Sequence, residues 1–436
     1  MVTVGSIPML LELATSIFFP FFIIVYLRNA RHACIKYRLP RRTAVPMVLL
    51  TFYSICTPVI TVFGQSWPGI GSYFLHFILI PFALVLFLVT EAMIVVLFQI
   101  TELLMLPQTS TPRKVRRLTF YRWMLHPPVQ LVLSMIVIMV LISPFLSIDI
   151  NSLMLPDATA INIPEFEHAV DVLSIEIALL LLIILWLSWY ISHVVDNFGL
   201  RHSYQQSFRG LLLVLILVAL MRLVALYTNS TIPEDLHLPR FFSTLGAQFL
   251  VYFHIYLPVR SMQTSGQLIT RRPRSSSRVH PNNLEEQKAI LEKFLSQDHF
   301  FKSFLTFARH EYSIEPLLAF KALLQYNAGD RTVDDAIQLT QLCMVPHCEL
   351  ESEVGKKLWP IYNDKLNASR NSKAYKAPIN FFHTFQQALL TWIVKEMLSN
   401  YAQHPLGVEY AAFARKEKSM DRLDIVLACV EDVDDS

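Results

Sequence analysis

Charged residues are scarce in this sequence, because only 16% of its 436 residues are Asp, Glu, Lys or Arg. Soluble domains contain about 25% charged residues, so the deficit excludes an ordinary water-soluble fold for the whole chain. Glycine is scarce too, at 11 residues, which excludes collagen-like and glycine-rich disordered chains. The net charge of +3 is small and predicts no binding to nucleic acid.

Apolar residues are instead concentrated before residue 262, in runs long enough to cross a bilayer, which takes about 20 residues per helix. We predict seven membrane helices, at residues 7–27, 44–64, 71–94, 129–148, 170–192, 210–227 and 241–258. The part of the chain from 1 to 262 is therefore predicted to be a seven-helix transmembrane bundle.

The loops between these helices predict the orientation of the chain. Arg and Lys are concentrated after the first, third, fifth and seventh predicted helices, whereas the loop 65–69 is uncharged and the loop 149–167 contains only acidic charges. Basic loops stay in the cytosol, so we expect the N-terminus outside and the C-terminus inside. The sequon that starts at Asn229 falls in a loop predicted to be outside, and we expect it to be glycosylated.

The five cysteines predict no disulfide bond, because none of them falls in an extracellular loop. Cys34 follows the first predicted helix in a basic loop, so it is either a palmitoylation site or a free thiol. Cys343, His347 and Cys348 lie on one short segment without a second ligand pair, and we therefore predict no metal site.

Residues 263–283 are rich in Gln, Ser, Arg and Pro and are predicted to be a linker. Arg271, Arg272 and Arg274 form a basic strip, which favours attachment to the anionic inner leaflet at about 1 kcal/mol per charge. The same strip fits a basophilic kinase target at Ser275, Ser276 and Ser277, and phosphorylation there would weaken that attachment.

The remaining sequence carries apolar residues at helical spacing and shows no strand pattern. Thr332 with Asp335 predicts the start of one helix, and Pro360 predicts a kink or break in the helix that begins near residue 349. We therefore expect an all-helical cytosolic domain at 284–414 and an acidic tail at 415–436 without an assigned role. The predicted fold class is all-α throughout.

Short motifs in this domain resemble the regulator of G-protein signalling (RGS) family. Its "FxxFL…EYSxEN…FW" core is matched by Phe301-Lys302-Ser303-Phe304-Leu305 and by Glu311-Tyr312-Ser313-Ile314-Glu315. Its later helices and its "vNl" loop are matched by residues 356–358, 361–363, 379–381 and 385–388. With seven membrane helices preceding it, the chain is similar to the seven-transmembrane RGS receptors of the plant type.

This resemblance implies a plasma-membrane receptor that accelerates GTP hydrolysis by a heterotrimeric Gα subunit, with no enzyme activity or cofactor of its own. It implies that Glu315 and Asn380 contact Gα. Without the resemblance, Glu315 is a solvated charge at a helix start and Asn380 is a helix cap. Pro316 replaces the contact Asn of the family and the segment after Asn380 is short, which favours the alternative of a non-catalytic binding module.

Ionisable residues inside membrane helices are costly and therefore informative. We predict that Glu176 and Arg222 lie at similar depth, where they form either a structural ion pair or, with His76, a pocket for a small extracellular ligand. A transporter with a helical regulatory tail is a third hypothesis, although the sequence contains no inverted repeat.

Overall fold

The computed structural model describes residues 7–30, 35, 38–63, 70–105, 112–143, 164–193, 200–228, 237–262, 281–346, 348–371, 376–378, 380–402 and 404–417. These residues are overwhelmingly helical and contain no strand, as the predicted all-α class requires. The chain divides into two compact units. Unit 1 consists of Met1–Phe98 and Trp123–Pro273, and unit 2 consists of Gln99–Arg122 and Arg274–Ser436.

Unit 1 contains most of the helical elements before residue 257, and most of its longer helices are apolar. In chain order they are α1 (Ile7–Ser16), α2 (Phe19–Arg28), α3 (Pro40–Phe63), α4 (Ile70–Tyr73), a π-helical turn (Phe74–Leu79), α5 (Ile80–Met105), α6 (Pro112–Met124), α7 (Pro127–Ile142), α8 (Pro164–Ile191), α9 (Leu200–Thr228), α10 (Leu238–Val251) and a second π-helical turn (Tyr252–Tyr256). The last residues of α5 and most of α6 belong to unit 2.

Six helices are long and apolar enough to cross a membrane. They are Ile7–Arg28, Pro40–Phe63, Phe74–Met105, Val172–Ile191, Leu200–Met221 and Leu238–Met262. The predicted fourth span is represented by α7, which meets the preceding helix at a bend of 67°. Because residues 144–163 lie outside the described part of the chain, the total of seven stays a prediction.

The helices of unit 1 pack around α3, which contacts α1, α2 and α10, while α9 contacts α8 and α10. Large side chains fill this interior, among them Tyr26, Tyr53, Phe87 and Tyr204. Many apolar side chains of α2, α7, α8 and α9 point outward and are exposed. Such a continuous apolar surface is typical of helices that face lipid, and unit 1 is accordingly the membrane part of the protein.

Unit 2 is a bundle of shorter amphipathic helices. Besides 99–122, it contains α11 (Pro281–Leu295), α12 (Asp298–His310), α13 (Glu315–Ala328), α14 (Val333–Cys343), α15 (Glu353–Asn371), α16 (His383–Ile393), a π-helical turn (Val394–Leu398), α17 (Ser399–Tyr401), a 3-10 turn (Pro405–Gly407) and a last helix at 408–417. Helix α16 packs against α11, α13 and α15.

An aromatic core holds unit 2 together. The rings of Phe304 and Tyr401 have centroids 4.2 Å apart, and those of Phe294 and Phe300 stack at 4.4 Å. Burial of one such side chain contributes about 1.5–3 kcal/mol. Phe304 of the first RGS-like motif is completely buried, as is Phe320 in α13. These positions of the resemblance are therefore core positions in this chain.

Two helix boundaries compare directly with the predictions. Helix α14 begins at the predicted place and has a capping box there. Thr332 Oγ1 accepts from the backbone N–H of Asp335 at 3.1 Å, and the Asp335 carboxylate accepts from the N–H of Thr332 at 3.2 Å. Of the kink or break predicted at Pro360, the break does not occur, because α15 continues through this residue from Glu353 to Asn371. Pro360 lies on the exposed face of α15, where the carbonyl that loses its partner can bind water.

Candidate functional site

The turn between α12 and α13 places Glu315. Helix α12 ends in a Schellman motif, in which the N–H of Ser313 donates to the carbonyl of Ala308 at 3.2 Å and Tyr312 adopts a φ of 50°. This turn redirects the chain so that Glu315 becomes the first residue of α13. The matched segment 311–315 therefore has a local structural role as well as the implied contact role.

Glu315 is partly buried, and its surroundings are strongly charged. Burial raises the pKa of the Glu315 carboxyl above its ordinary value, the positive charge of Arg122 lowers it, and the negative charge of Glu351 raises it. Both neighbours belong to unit 2. Because Glu351 belongs to the loop 344–352, which connects α14 to α15, Glu315 is close to that loop. We call Glu315 together with this loop the Glu315 surface.

The loop 344–352 has no regular secondary structure at its described residues and is fixed by hydrogen bonds and close packing of its backbone. The N–H of Leu350 donates to the carbonyl of Leu342 at 2.9 Å, and Ser352 Oγ accepts from the N–H of Gly355 at 3.0 Å. Gly355 packs so closely on α14 that a Cβ atom there would lie 2.2 Å from the carbonyl oxygen of Cys343. The described residues of the loop, 344–346 and 348–352, therefore present a fixed arrangement of groups.

Basic side chains from α6 bind this loop. Lys114 Nζ lies 2.9 Å from a carboxylate oxygen of Glu349. Arg122 donates to the backbone carbonyl of Cys348 and, at 2.8 Å, to that of Glu349, while its guanidinium lies 3.8 Å from the Glu351 carboxylate. The carboxylates and two carbonyls of the loop are thus acceptors for a basic helix.

A second contact joins the same segment to α12. Glu102, near the end of α5, accepts from Arg309 Nε at 2.8 Å and lies 2.6 Å from Arg309 Nη2. The two described parts of this segment, 99–105 and 112–122, are therefore each attached to the rest of unit 2, and we call these contacts together the 99–122 clasp. In the sequence the basic residues of this segment predicted only its side of the membrane, and their partners lie more than 200 residues further along the chain.

Asn380 lies at the opposite end of α13 from Glu315. It is exposed and borders a cavity of about 220 Å³ together with Asn327, Arg331 and His383. Asn327 is next to the last residue of α13, which has 14 residues and is therefore about 21 Å long. The structure does not bring the two predicted Gα-contact residues together.

The three residues of the predicted membrane pocket lie on three different helical elements, and their meeting stays a prediction. The ring of His76 packs edge-to-face on Tyr53 at 5.4 Å, and Glu176 is half-buried in α8. Arg222 lies in α9, and its side chain falls outside the described residues. The predicted modification sites Cys34, Asn229, Ser275, Ser276 and Ser277 also lie outside them.

Polar side chains instead join the helices of unit 1 in pairs. Gln248 donates to the carbonyl of Glu12 at 3.0 Å and to Ser16 Oγ at 2.8 Å. Ser188 donates to the Glu91 carboxylate at 2.5 Å, which links α8 to α5. No group of three metal-ligating side chains occurs in the described ranges, which do not include His347.

Comparison of the chain with models of protein families, with curated proteins and with solved structures finds no match. The functional argument therefore depends on the residues of the chain and on their geometry.

Proposed function

We propose that this protein is a membrane-embedded regulator of heterotrimeric G-protein signalling, in which unit 2 accelerates GTP hydrolysis by a Gα subunit. The support is that the RGS-like motifs have distinct structural roles in unit 2. Phe304 and Phe320 fill the core, segment 311–315 forms the turn into α13, and Glu315 emerges beside a fixed loop. The single observation that carries the proposal is this Glu315 surface.

The proposed mechanism requires no chemistry from unit 2 itself. Gα contains the phosphates, the magnesium ion and the attacking water, and its slow step is the alignment of mobile switch segments. A partner that binds those segments in their reactive geometry lowers the barrier by orientation alone. The hydrogen bonds of Leu350 and Ser352 and the close packing at Gly355 provide the fixed surface that such a partner needs.

The proposal places Gα on the Glu315 surface rather than at Asn380. The cavity beside Asn380 is about one helix length away from Glu315, so a contact centred on Glu315 reaches Asn380 only at its edge. The role of Asn380 stays a prediction.

For unit 1 we propose a localising and sensing role at the plasma membrane, with the N-terminus outside and the C-terminus in the cytosol. The supporting observations are the apolar outer surface of the helices and the alternation of basic and non-basic loops. A small extracellular ligand as the signal, and attachment of the linker to anionic lipid, belong to the same proposal.

A non-catalytic binding module is the second candidate, and Pro316 is the observation that favours it. Pro316 is buried and has no side-chain hydrogen-bonding group, although the RGS family has its contact Asn at this position. A module of this kind would bind Gα and leave its hydrolysis rate unchanged.

Single-turnover GTP hydrolysis distinguishes the two candidates. The full-length chain is reconstituted in nanodiscs and mixed with purified Gα subunits of several classes, each preloaded with GTP. We expect one class to be accelerated at least about tenfold, and Glu315→Ala to reduce this acceleration by roughly tenfold, the effect of losing about 1.4 kcal/mol of transition-state stabilisation. The control is Glu396→Gln, an exposed glutamate in the π-helical turn after α16.

Binding of Gα loaded with GDP and aluminium fluoride, without any acceleration, would favour the module. Absence of both binding and acceleration for every Gα class would contradict the proposed function.

A further inference from the structure

Segment 99–122 uses the acceptors that the Glu315 surface would offer to a partner. Lys114 engages the Glu349 carboxylate, and Arg122 engages the carbonyls of Cys348 and Glu349. Arg122 also lies 3.8 Å from the Glu351 carboxylate, whose nearer partner is Lys356 of α15 at 2.7 Å. The charge of Arg122 also acts on Glu315 itself. A Gα subunit that binds this surface would have to displace these side chains, because two donors cannot occupy the same positions around one carbonyl or carboxylate oxygen.

The contact is made by one face of α6. Lys114, Leu118 and Arg122 are spaced four residues apart and therefore lie on the same face of the helix. Lys114 and Leu118 are buried and Arg122 is mostly buried, whereas Arg116 and Arg117 between them are exposed. The burial pattern is that of a docked helix, with one face against a surface and the other in solvent.

We propose that segment 99–122 is an internal competitor for the Glu315 surface, so that the chain holds its own Gα-binding site in an occluded state. This inference rests on the proposed function. The docked face carries two charged residues and a single large apolar one, so its binding depends mainly on ion pairs and charged hydrogen bonds. A partner that offers equivalent ion pairs and hydrogen bonds can replace such contacts. Opening a large apolar interface would be harder, because it exposes apolar surface to water.

The test compares two variants with the same change of charge. Lys114→Gln with Arg122→Gln removes the docked pair, and Arg116→Gln with Arg117→Gln removes two exposed charges from the same helix. Each full-length protein is placed in nanodiscs of phosphatidylcholine and phosphatidylserine and assayed below saturation with the Gα subunit that the wild type accelerates. If roughly a quarter of wild-type molecules are open, the first variant raises the hydrolysis rate constant about fourfold and the second leaves it unchanged.

Hydrogen exchange of the backbone in 344–352 reports the docking independently of any Gα. We expect faster exchange in the Lys114→Gln/Arg122→Gln protein than in the wild type, and no change in the Arg116→Gln/Arg117→Gln protein. Addition of Gα with GDP and aluminium fluoride to the wild type should speed exchange within 112–122, because the competitor is displaced.

A second pair of variants, which acts at the contact between Glu102 and Arg309, controls for a folding defect in the Lys114→Gln/Arg122→Gln protein. Arg309→Glu should raise the rate constant by repulsion from Glu102, and Glu102→Arg added to it should restore the lower rate. Lys114→Gln/Arg122→Gln and Arg309→Glu are the two variants that release the segment. If both lose the docking but accelerate hydrolysis no more than the wild type does, the inference is overturned and the proposed function is unaffected. No acceleration by any of these proteins overturns the proposed function and this inference together.

Discussion

Lys114 Nζ lies 2.9 Å from the Glu349 carboxylate, and only 8% of the lysine side chain is exposed. A lysine is rarely buried to this extent without a partner for its charge. The pair therefore couples helix α6 to the loop 344–352 in a way that neither residue could achieve alone. Substituting one residue of the pair should lower the free energy of unfolding more than replacing both residues with apolar ones. In the first case the remaining charge stays in a poorly solvated place.

Substitution of Glu349 should accordingly destabilise unit 2. We expect Glu349→Gln to lower the free energy of unfolding by about 1–3 kcal/mol, since Lys114 then loses the carboxylate that lies 2.9 Å from its Nζ. The measurement is chemical unfolding of the full-length chain in detergent, followed by the rate at which the α14–α15 region is proteolysed. The double variant Lys114→Met with Glu349→Leu removes both charges and should regain part of the loss. A double variant less stable than Glu349→Gln would contradict this account.

The close approach of α15 to α14 makes a second prediction. A Cβ atom at Gly355 would lie 2.2 Å from the Cys343 carbonyl oxygen, and this backbone atom cannot move aside as a flexible side chain can. We expect Gly355→Ala to cost about 3 kcal/mol and to loosen the loop 344–352, measured by unfolding and by hydrogen exchange. Gly329→Ala is the matched control, because a Cβ atom there meets nothing closer than 3.6 Å. Equal stability of the two variants would show that α15 can shift without cost.

The cysteines of the same region should be chemically inert while the protein is folded. Burial raises the pKa of the Cys348 thiol to about 11 and also raises that of Cys343, compared with an ordinary value of 9.0. At pH 8 a pKa of 11 leaves roughly 100-fold less thiolate, which is the species that alkylating reagents attack. Iodoacetamide labelling, quantified peptide by peptide, should therefore be at least that much slower for Cys348 in the native protein than in urea. Comparable labelling in both conditions would place the loop in an open state.

Local rules and long-range contacts differed in how well the sequence predicted them. The helix start at Thr332 depends on two residues three apart, Thr332 and Asp335, and it is present as predicted. The long apolar helices follow from composition alone, because spanning hydrocarbon needs only length and low polarity. Pro360 shows the limit of a local rule. It does not end the helix, because an exposed helix face tolerates the loss of the backbone hydrogen bond that proline cannot make.

The candidate site was less predictable because its groups come from distant parts of the chain. Glu315 was identified by resemblance, but nothing local shows that Arg122 lies beside it or that segment 99–122 belongs to the same unit. Charge pairing of this kind has no sequence period, and the only signal was an excess of Arg and Lys between residues 113 and 122. The separation of Asn380 from Glu315 likewise depends on helix lengths and on the order in which helices return to each end of the bundle.

The charge state of Glu315 predicts how the stability of unit 2 depends on pH. Burial raises the pKa of this carboxyl, so the folded state favours its neutral form. The stabilising contribution of that neutral form is fully present below the ordinary Glu pKa of about 4.3 and is lost as the pH rises through the raised value. Glu315→Gln imitates the neutral form at every pH. We therefore expect this variant to be more stable than the wild type at pH 8 and to have no advantage at pH 4, in unfolding curves of the full-length chain.

Arg122 provides the sharper half of this prediction, because its positive charge lowers the pKa of Glu315 and so opposes the effect of burial. Removing that charge with Arg122→Gln should increase the advantage of Glu315→Gln at pH 8, since the carboxylate then loses the cation that compensates for its burial. The exposed Glu396→Gln substitution is the control and should show no such dependence on pH or on Arg122. If Glu315→Gln were instead less stable than the wild type at pH 8, the attraction of Arg122 would outweigh the desolvation of the carboxylate. The Glu315 surface would then be held together by that ion pair, and its release by Gα would require a stronger competing cation than the segment 99–122 supplies.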